Sequence, residues 1–479
     1  MGAASSRDRF NSRLEAAPTG VFFSNLDLPD KRKGLLCMNG YELIKKKRDG
    51  LQLSTNEIGY LIDGMISGNI PDYQMTAFLM AVYFNGMSAR ECLDLTMAMT
   101  QSGEQVDLSA IKGFKVDKHS TGGVGDTTTL VLAPLVAASG GIVAKMTGRE
   151  LGHTGGTVDK LESIPGMQVA LAKDKFIDVV NTIHVSLISQ TASLAPADKQ
   201  LYALRNVTAT VDSIPLIAAS IMSKKLAAGS DGIVLDVKTG QGAFMQKYED
   251  AVELAKTMVN IGENAGKRMV ALITGMQQPL GYAIGNAIEV REAIDTLGGN
   301  GPPDLVELVT ELGGEMLLIS GIASTREEAQ SVLVKNIATR KGLDKLAELI
   351  AAQGGDRAVI DNPNLLPQPG MKLEIASETS GYVAAIDAFE AGWASKILGA
   401  GRKTKDGAID LSIGIYLNKK IGDKVKTGEP LAVFHSDGDN EKIKAAKAKF
   451  LETYTIRPDR SELPKFLHAR ITSAGVEEL

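Results

Sequence analysis

Lys118-His119-Ser120-Thr121-Gly122-Gly123-Val124-Gly125-Asp126 sets an ammonium, an imidazole, two hydroxyls and three glycines in one short stretch. It follows an alternating run, Phe114-Lys115-Val116, and precedes an apolar helix-like stretch that begins near Thr127. A strand that feeds a glycine-rich turn into a helix start aims backbone N–H groups and the helix dipole at one spot, which is a ready anion site. The guest that suits it is a phosphate. In a Walker loop the lysine follows the glycines, whereas Lys118 precedes them; the dinucleotide pattern fails because Thr128 stands where its third glycine belongs. Both common nucleotide fingerprints are therefore poor fits.

A second loop strengthens the anion reading. Gly141-Ile142-Val143-Ala144-Lys145-Met146 reads as a strand, followed by Thr147-Gly148-Arg149 and by Gly152-His153-Thr154-Gly155-Gly156-Thr157. Two such units on neighbouring parallel strands place two donor-rich turns side by side at the strands' carboxyl ends. Together they can surround one free phosphate. The hydroxyls of Ser120, Thr129, Thr147 and Thr157, with the Lys118 ammonium and the turn at Gly122 and Gly123, can bind it without magnesium. Any one hydroxyl taken alone reads equally well as a helix cap.

A third element supplies what phosphate would act upon. Tyr202-Ala203-Leu204-Arg205 precedes Asn206-Val207-Thr208-Ala209-Thr210-Val211-Asp212, and the helix that Pro215 opens carries Ser220 and Lys224 on one face. An arginine, a serine and a lysine that converge on a planar ring can read a pyrimidine's carbonyls and N–H, and can hold the charge that builds as the base departs. On the lysines alone, Lys224-Lys225 reads as a solvated helix end.

At these residues the chain resembles a family. Val116 to Asp126, Gly152-His153-Thr154-Gly155-Gly156-Thr157-Val158-Asp159-Lys160-Leu161-Glu162 and Thr208-Ala209-Thr210-Val211-Asp212-Ser213-Ile214-Pro215-Leu216 are similar to blocks of the thymidine and pyrimidine-nucleoside phosphorylases, from about Tyr41 to near the C-terminus. The resemblance implies reversible phosphorolysis: a pyrimidine nucleoside and inorganic phosphate give the free base and a pentose 1-phosphate. It implies a phosphate site at Lys118, Ser120, Gly122, Gly123, Thr129, Lys145, Thr147 and Thr157, and a base site at Arg205, Ser220 and Lys224. It makes His119 the catalytic candidate, a donor to the pyrimidine O2, because this chemistry needs leaving-group stabilisation more than nucleophile activation. His153, His184, His435 and His468 read as structural hydrogen-bonders.

Within that resemblance Thr147 replaces a usual serine and keeps the hydroxyl, Glu150 replaces a glycine, and Asn206 replaces an aspartate. A carboxylate at position 150 repels phosphate unless it points away or pairs, with Arg149 for instance. Asn206 removes a charge that can orient Arg205. Lys145 matches the broad-specificity bacterial branch, and a cation near the sugar can donate to a ribose 2′-hydroxyl, so uridine is expected beside thymidine and deoxyuridine. The same branch implies a structural potassium ion held by Gly125, Thr127, Leu280, Ala283 and Glu292, an all-oxygen set that fits a hard, weakly charged cation. The bland reading of Glu292 is a helix face shared with Arg291 and Glu289.

The elements that must position these groups follow from punctuation. Residues 36–105 carry amphipathic helices with capping boxes at Ser54…Glu57 and Ser88…Glu91, and residues 197–230 return to helix; together they form a small all-helical lobe for base binding and dimer contact. Met75, Leu79, Met80, Tyr83 and Met87 make a stripe on it, read as core or dimer face. Residues 106–196 and 231–370 form a large α/β lobe with a mixed sheet, which holds phosphate. Residues 371–479 are expected to be a C-terminal α+β domain whose turns at Gly381-Tyr382-Val383 and Ile421 to Leu431 are similar to those of biotinyl and lipoyl carriers, without the lysine that carriers modify. The cleft would lie between the two main lobes, with hinges near Gly103 and Pro196.

Composition sets the remaining bounds. At 479 residues the chain is long enough for two or three domains with sizeable cores, and a net charge of -5 argues against nucleic acid. Cys37 and Cys92 offer no disulfide framework, which points to a reducing compartment, the cytoplasm. Residues 1–35 lack periodicity and read as a mobile extension. Met1-Gly2-Ala3-Ala4-Ser5-Ser6 satisfies the myristoylation pattern, and membrane contact is expected only if Gly2 is acylated. Inorganic phosphate is the co-substrate, with no organic cofactor, and the partner is a second copy through the N-terminal helices. Three rival readings remain at this stage: a strict thymidine phosphorylase, a phosphoribosyltransferase-like enzyme that would want acidic magnesium ligands beside its glycine loop, and a non-catalytic nucleoside-binding paralogue.

Overall fold

The computed structural model describes residues 38–150, 152, 153, 155–191, 193–402, 407 and 409–479. The expected N-terminal extension and its myristoylation pattern lie outside the described residues.

Four helices open the described chain: α1 (Gly40–Arg48), α2 (Thr55–Ile66), α3 (Asp72–Asn85) and α4 (Ala89–Gln101). Both expected capping boxes form. Ser54 accepts from the Glu57 N–H and Ser88 from the Glu91 N–H, while each glutamate reaches back to its cap's N–H. Glu91 also accepts from the Lys47 ammonium at 2.8 Å and the Leu53 N–H at 2.9 Å, so one buried carboxylate ties α4 to the turns before it. Of the methionine stripe, Met75 and Leu79 are buried in the core while Tyr83 is exposed.

The chain then alternates. β1 (Val116–Ser120), α5 (Thr128–Ala138), β2 (Val143–Thr147), α6 (Thr157–Glu162), α7 (Lys173–Ile183) and β3 (Val185–Ser189) lead to α8 (Pro196–Arg205) and α9 (Ile214–Ala227), which rejoin the first helices. Next come β4 (Gly232–Thr239), α10 (Tyr248–Asn264), β5 (Arg268–Gly275), β6 (Ala283–Gly285), α11 (Ala287–Asp295), α12 (Pro303–Ile319), α13 (Arg326–Ala338) and α14 (Lys341–Ala352). Strands β1, β4 and β5 are parallel, and every residue of β4 is buried, as expected of a strand covered on both faces. On one face Val116, Val234 and Leu272 pack with α5, α12 and α14; on the other Ile233, Leu235 and Ile273 join a cluster that runs through α10 into the helical lobe. The helical lobe thus shares a core with the sheet.

β1 and β2 are joined by a single parallel bridge, Lys115 to Ile142, beyond which β1 pairs only with β4 and β2 only with β3. The strands splay toward their carboxyl ends. That seam lies where the two glycine loops begin, the place at which open parallel sheets take ligands.

The final part holds β7 (Met371–Ala376), β8 (Gly381–Ile386), α15 (Ala388–Ser395), β9 (Gly414–Leu417), β10 (Lys424–Val425), β11 (Pro430–Ser436), α16 (Asn440–Leu451), β12 (Tyr454–Arg457), β13 (Leu467–Thr472) and β14 (Gly475–Glu478). Two small antiparallel sheets form, ordered β6-β9-β11-β7 and β10-β8-β12, around a core that includes Phe434 and Phe450. Two boundaries differ from expectation. β6 is lent to this part by the α/β lobe, and β13 with β14 returns to the main sheet beside β5, because the apolar faces of Ala469 and Ile471 complete the cluster under α10. Residues 371–479 are therefore not one self-contained domain.

At the expected hinges the two connecting segments are laced together. The Glu104 N–H donates to the Ser193 carbonyl at 3.0 Å and the Ala197 N–H to the Ser102 hydroxyl at 3.1 Å.

Candidate active site

The first glycine loop begins inside the sheet. β1 runs on to Ser120, so Lys118, His119 and Ser120 sit on the end of a strand and not in the turn that the sequence suggested. Ladder hydrogen bonds to β4 take over where periodicity had stopped, with His119 opposite Leu235. Ser120 accepts from the Gly122 N–H at 3.3 Å, and Gly122 holds φ at 103°, which favours glycine. Thr127 precedes the first turn of α5, and Thr129 stands buried on that turn, bordering a small cavity with Lys118 and Lys145.

Beneath this loop lies buried charge. The Lys118 ammonium stands 3.4 Å from Asp236 and 3.7 Å from Asp126. Asp236 is also 2.9 Å from Lys238 and accepts from the Thr274 hydroxyl at 2.6 Å. Burial works against ionisation of Asp126, yet Lys118, Lys238 and Lys160 outweigh it and hold that carboxyl well below the usual range. A second cluster is Asp117 with Lys145 at 3.0 Å on one oxygen and Lys225 at 2.9 Å on the other. Burial and the neighbouring Lys225 and Lys145 keep His119 well below the usual imidazole range, so at neutral pH it carries one N–H to donate.

Lys145 is engaged within the site's frame: its ammonium fills the splayed seam, bonded to Asp117 and to the Lys118 carbonyl. Burial lowers it to about 8 despite Asp117. A long cation reaching back under its neighbour satisfies a carbonyl that no second strand covers. Lys225 is likewise not a solvated helix end: it is buried and bound to Asp117 and, at 3.3 Å, to the Met146 carbonyl.

The second loop is held differently. Arg149 forms a two-pronged pair with Glu162 at 2.6 Å and also meets Asp159 at 2.8 Å. Glu150 does not pair with Arg149, whose fork is already taken. It turns toward the C-terminal part, where it accepts from the Arg402 N–H at 2.7 Å with Lys396 3.8 Å away. Arg402 also meets Asp159 at 2.7 Å, and Lys396 donates to the Gly152 carbonyl at 3.0 Å. At Gly156 a Cβ would stand 2.2 Å from the Glu150 nitrogen, so only glycine lets the loop cross itself before Thr157 opens α6. Lys160 of α6 donates to the Asp126 carbonyl at 2.7 Å, which brings the two loops together. Thr147 ends β2 beside Ser189.

The base-site residues converge on α8 and α9. Arg205 is buried, its guanidinium bonded to the carbonyls of Thr210 at 3.2 Å, Leu216 at 3.0 Å and Val211 at 2.5 Å. Asn206 is exposed and plays no part, so the backbone orients the arginine and the missing aspartate costs nothing visible. Ser220 and Lys224 meet at 3.1 Å, as their spacing implied, and Asp198 pairs with Lys224 at 2.5 Å. Asp117, Lys225, Asp236 and Lys238 were missed in the sequence; alternate charges in β4 at Asp236 and Lys238 were the available signal.

The residues assigned to potassium also come together. A Cβ on Gly125 would lie 2.3 Å from the Leu280 carbonyl oxygen and 2.9 Å from that of Ala283, so glycine alone admits this approach. Glu292 accepts from the Tyr282 N–H at 2.7 Å and the Ala283 N–H at 3.0 Å, with the Thr127 hydroxyl 3.4 Å away. Burial, with Glu289 and Asp304 adding to it, pushes its carboxyl up to about 8. Among the described residues Glu292 has no ion-pair partner, and it stands with carbonyls and a hydroxyl in an oxygen set that fits a hard cation. His153 is structural, bonded to the Gly242 carbonyl at 3.0 Å and packed on Phe389.

The mixed α/β fold with its helical bundle, which carries the two glycine loops and helices α8 and α9, is that of a glycosyl transferase family. Residues 41–103 match the helical bundle domain of the glycosyl transferase family, residues 112–342 its a/b domain, and residues 382–457 the pyrimidine nucleoside phosphorylase C-terminal domain. The chain is 54% identical to the pyrimidine-nucleoside phosphorylase of Bacillus subtilis (strain 168) and 53% identical to that of Geobacillus stearothermophilus, in each case covering 91% of this chain and 100% of the relative. The chain belongs to the pyrimidine-nucleoside phosphorylases. The anthranilate phosphoribosyltransferase of Thermus thermophilus shares the fold, at a TM-score of 0.54 and 18% identity over 65% of this chain and 99% of that one.

Proposed function

We propose that this enzyme carries out the reversible phosphorolysis of pyrimidine nucleosides, with phosphate bound by Lys118, Ser120, Gly122, Gly123, Thr129, Thr147 and Thr157 and the base by Arg205, Ser220 and Lys224. The observation that carries this reading is Lys225: one residue beyond Lys224, it is bonded to Asp117, one residue before Lys118, so the base grip and the phosphate strand are joined at 2.9 Å. Phosphate attacks the anomeric carbon as the bond to the base nitrogen breaks, and the electron pair of that bond passes into the pyrimidine ring. A neutral His119 donates its N–H to the ring oxygen that gains charge, and Arg205 and Lys224 hold the rest. Since phosphate is already anionic, no group need deprotonate it.

Potassium fits Gly125, Thr127, Leu280, Ala283 and Glu292 and would supply the positive charge that Glu292 lacks. It would pin the first loop to the segment carrying Leu280 and Ala283. Uridine is expected beside thymidine and deoxyuridine, and the N-terminal helices, which expose Tyr73 and Phe84, are the face expected to meet a second copy. The cytoplasm suits a chain whose two cysteines, Cys37 and Cys92, offer no disulfide framework. Among the described residues no helix is long and apolar enough to cross a membrane.

The test is the purified enzyme with inorganic phosphate and thymidine, uridine or deoxyuridine, following release of free base. Base release without phosphate, or none with it, would end the reading.

A further inference from the structure

Asp117 is a buried carboxylate, 1% exposed, that is not among the residues proposed to hold phosphate or base and has both oxygens engaged by ammonium groups from different elements. Lys145 comes from β2, which leads to the second glycine loop; Lys225 comes from α9, which carries Ser220 and Lys224. Asp117 itself lies on β1, and its carboxylate also accepts from the Lys118 N–H at 2.7 Å. Two ammonium groups around one carboxylate leave an excess of positive charge in the interior, which a fold built only for stability has no reason to keep.

We propose that Asp117 is a positioning residue for the reaction: it fixes the base-gripping helix to the strand that presents Lys118 and His119, so that nucleoside and phosphate meet in register. The proposal rests on the site assignment above. The two ties act on different things. Lys145 shapes the seam between the strands, while Lys225 sets where α9 stands against β1. Severing only the second leaves the phosphate loop, Lys118 and the Asp117–Lys145 pair in place, and displaces the base alone.

The test is steady-state phosphorolysis by full-length variants, each compared by thermal melting. Lys225→Met should lower kcat by about tenfold to a hundredfold, the cost of an ångström-scale misplacement, with the KM for phosphate within about threefold of wild type. Asp117→Asn should lower kcat further. The double variant Asp117→Asn/Lys225→Met carries the same net charge in this cluster as the native trio, so it should regain melting temperature while kcat stays low.

Recovery of kcat in the double variant would overturn the proposal, because charge balance would then be the whole role. So would a Lys225→Met enzyme that melts lower but turns over normally, and this arm decides the matter if Asp117→Asn fails to fold. His119→Ala run alongside separates the two readings: wild-type turnover there would instead remove the assignment of the reaction to His119.

Discussion

The first glycine loop rests on charge buried within the sheet, whereas the second is tied by pairs that run from buried Asp159 out to half-exposed Arg149 and across to the C-terminal part. Lys118 lies between Asp126 and Asp236 in a buried setting, with Lys238 behind them. Arg149, by contrast, is nearly half exposed where it meets Glu162, and Glu150 reaches across to Arg402. Breaking a buried pair typically costs about 3–5 kcal/mol, and an exposed one about 0–1 kcal/mol. The first loop is thus fixed by the sheet before substrate arrives; the second depends on the C-terminal part to hold its shape. In the proposed reaction, preorganisation is concentrated where charge develops.

The contrast is sharpened first by removing the groups that the stiff loop presents. Lys118→Ala and His119→Ala should each cut kcat/KM by roughly a hundredfold or more, since both act where the charge of the reaction passes. A loss under about tenfold in either would mean that the first loop is not the reacting one.

Next comes the proposed potassium site behind this loop. Exchanging potassium for a larger organic cation should lower the melting temperature of the wild type by a few degrees, as expected when a ligand that binds only the native state is withdrawn. Glu292→Gln should erase that dependence. A melting temperature indifferent to the cation in the wild type would leave Glu292 as a helix-face residue.

The second loop, tied to the C-terminal part through Glu150 and Arg402, should respond more mildly. Arg402→Ala and Glu150→Gln are each expected to raise the KM for phosphate by about threefold to tenfold, with kcat within about twofold. Arg402→Ala removes the guanidinium from Asp159 but keeps the backbone N–H that Glu150 accepts, so the two changes break different contacts and their losses should add; losses that do not add would show that both act through one shared contact.

How much could be read beforehand tracks the range of the interactions involved. The strand–glycine–helix units, both capping boxes and the Ser220–Lys224 pair depend on residues a few positions apart, and they form as expected. The residue-by-residue resemblance placed Gly125, Leu280, Ala283 and Glu292 together, which spacing alone does not. Asp117 was invisible because its partners lie 28 and 108 positions away, and nothing local marks a strand aspartate as the meeting point of two lysines. The return of β13 to the main sheet was hidden for the same reason: the pattern of Ala469 and Ile471 specifies a buried face without naming which sheet it completes.

Lys145 sits at the junction of the two loops, and its substitution should give the smallest effect. In the described arrangement its ammonium is committed to Asp117 and to the Lys118 carbonyl, so it must release one of them to meet a ribose 2′-hydroxyl. Lys145→Met should therefore lower uridine turnover more than thymidine turnover if that release occurs during the reaction, and both equally if the lysine only props the seam. The same variant carries a pH signature. Burial lowers the folded-state value of Lys145 to about 8, whereas in an unfolded chain a lysine titrates near about 10.4. Between these limits the unfolded chain binds more protons, so this residue's contribution to stability grows as pH climbs from about 8 to about 10.4. Denaturant melts across that window should show the rise in the wild type and its loss in Lys145→Met; an unchanged slope would mean that the ammonium is not desolvated where the seam holds it.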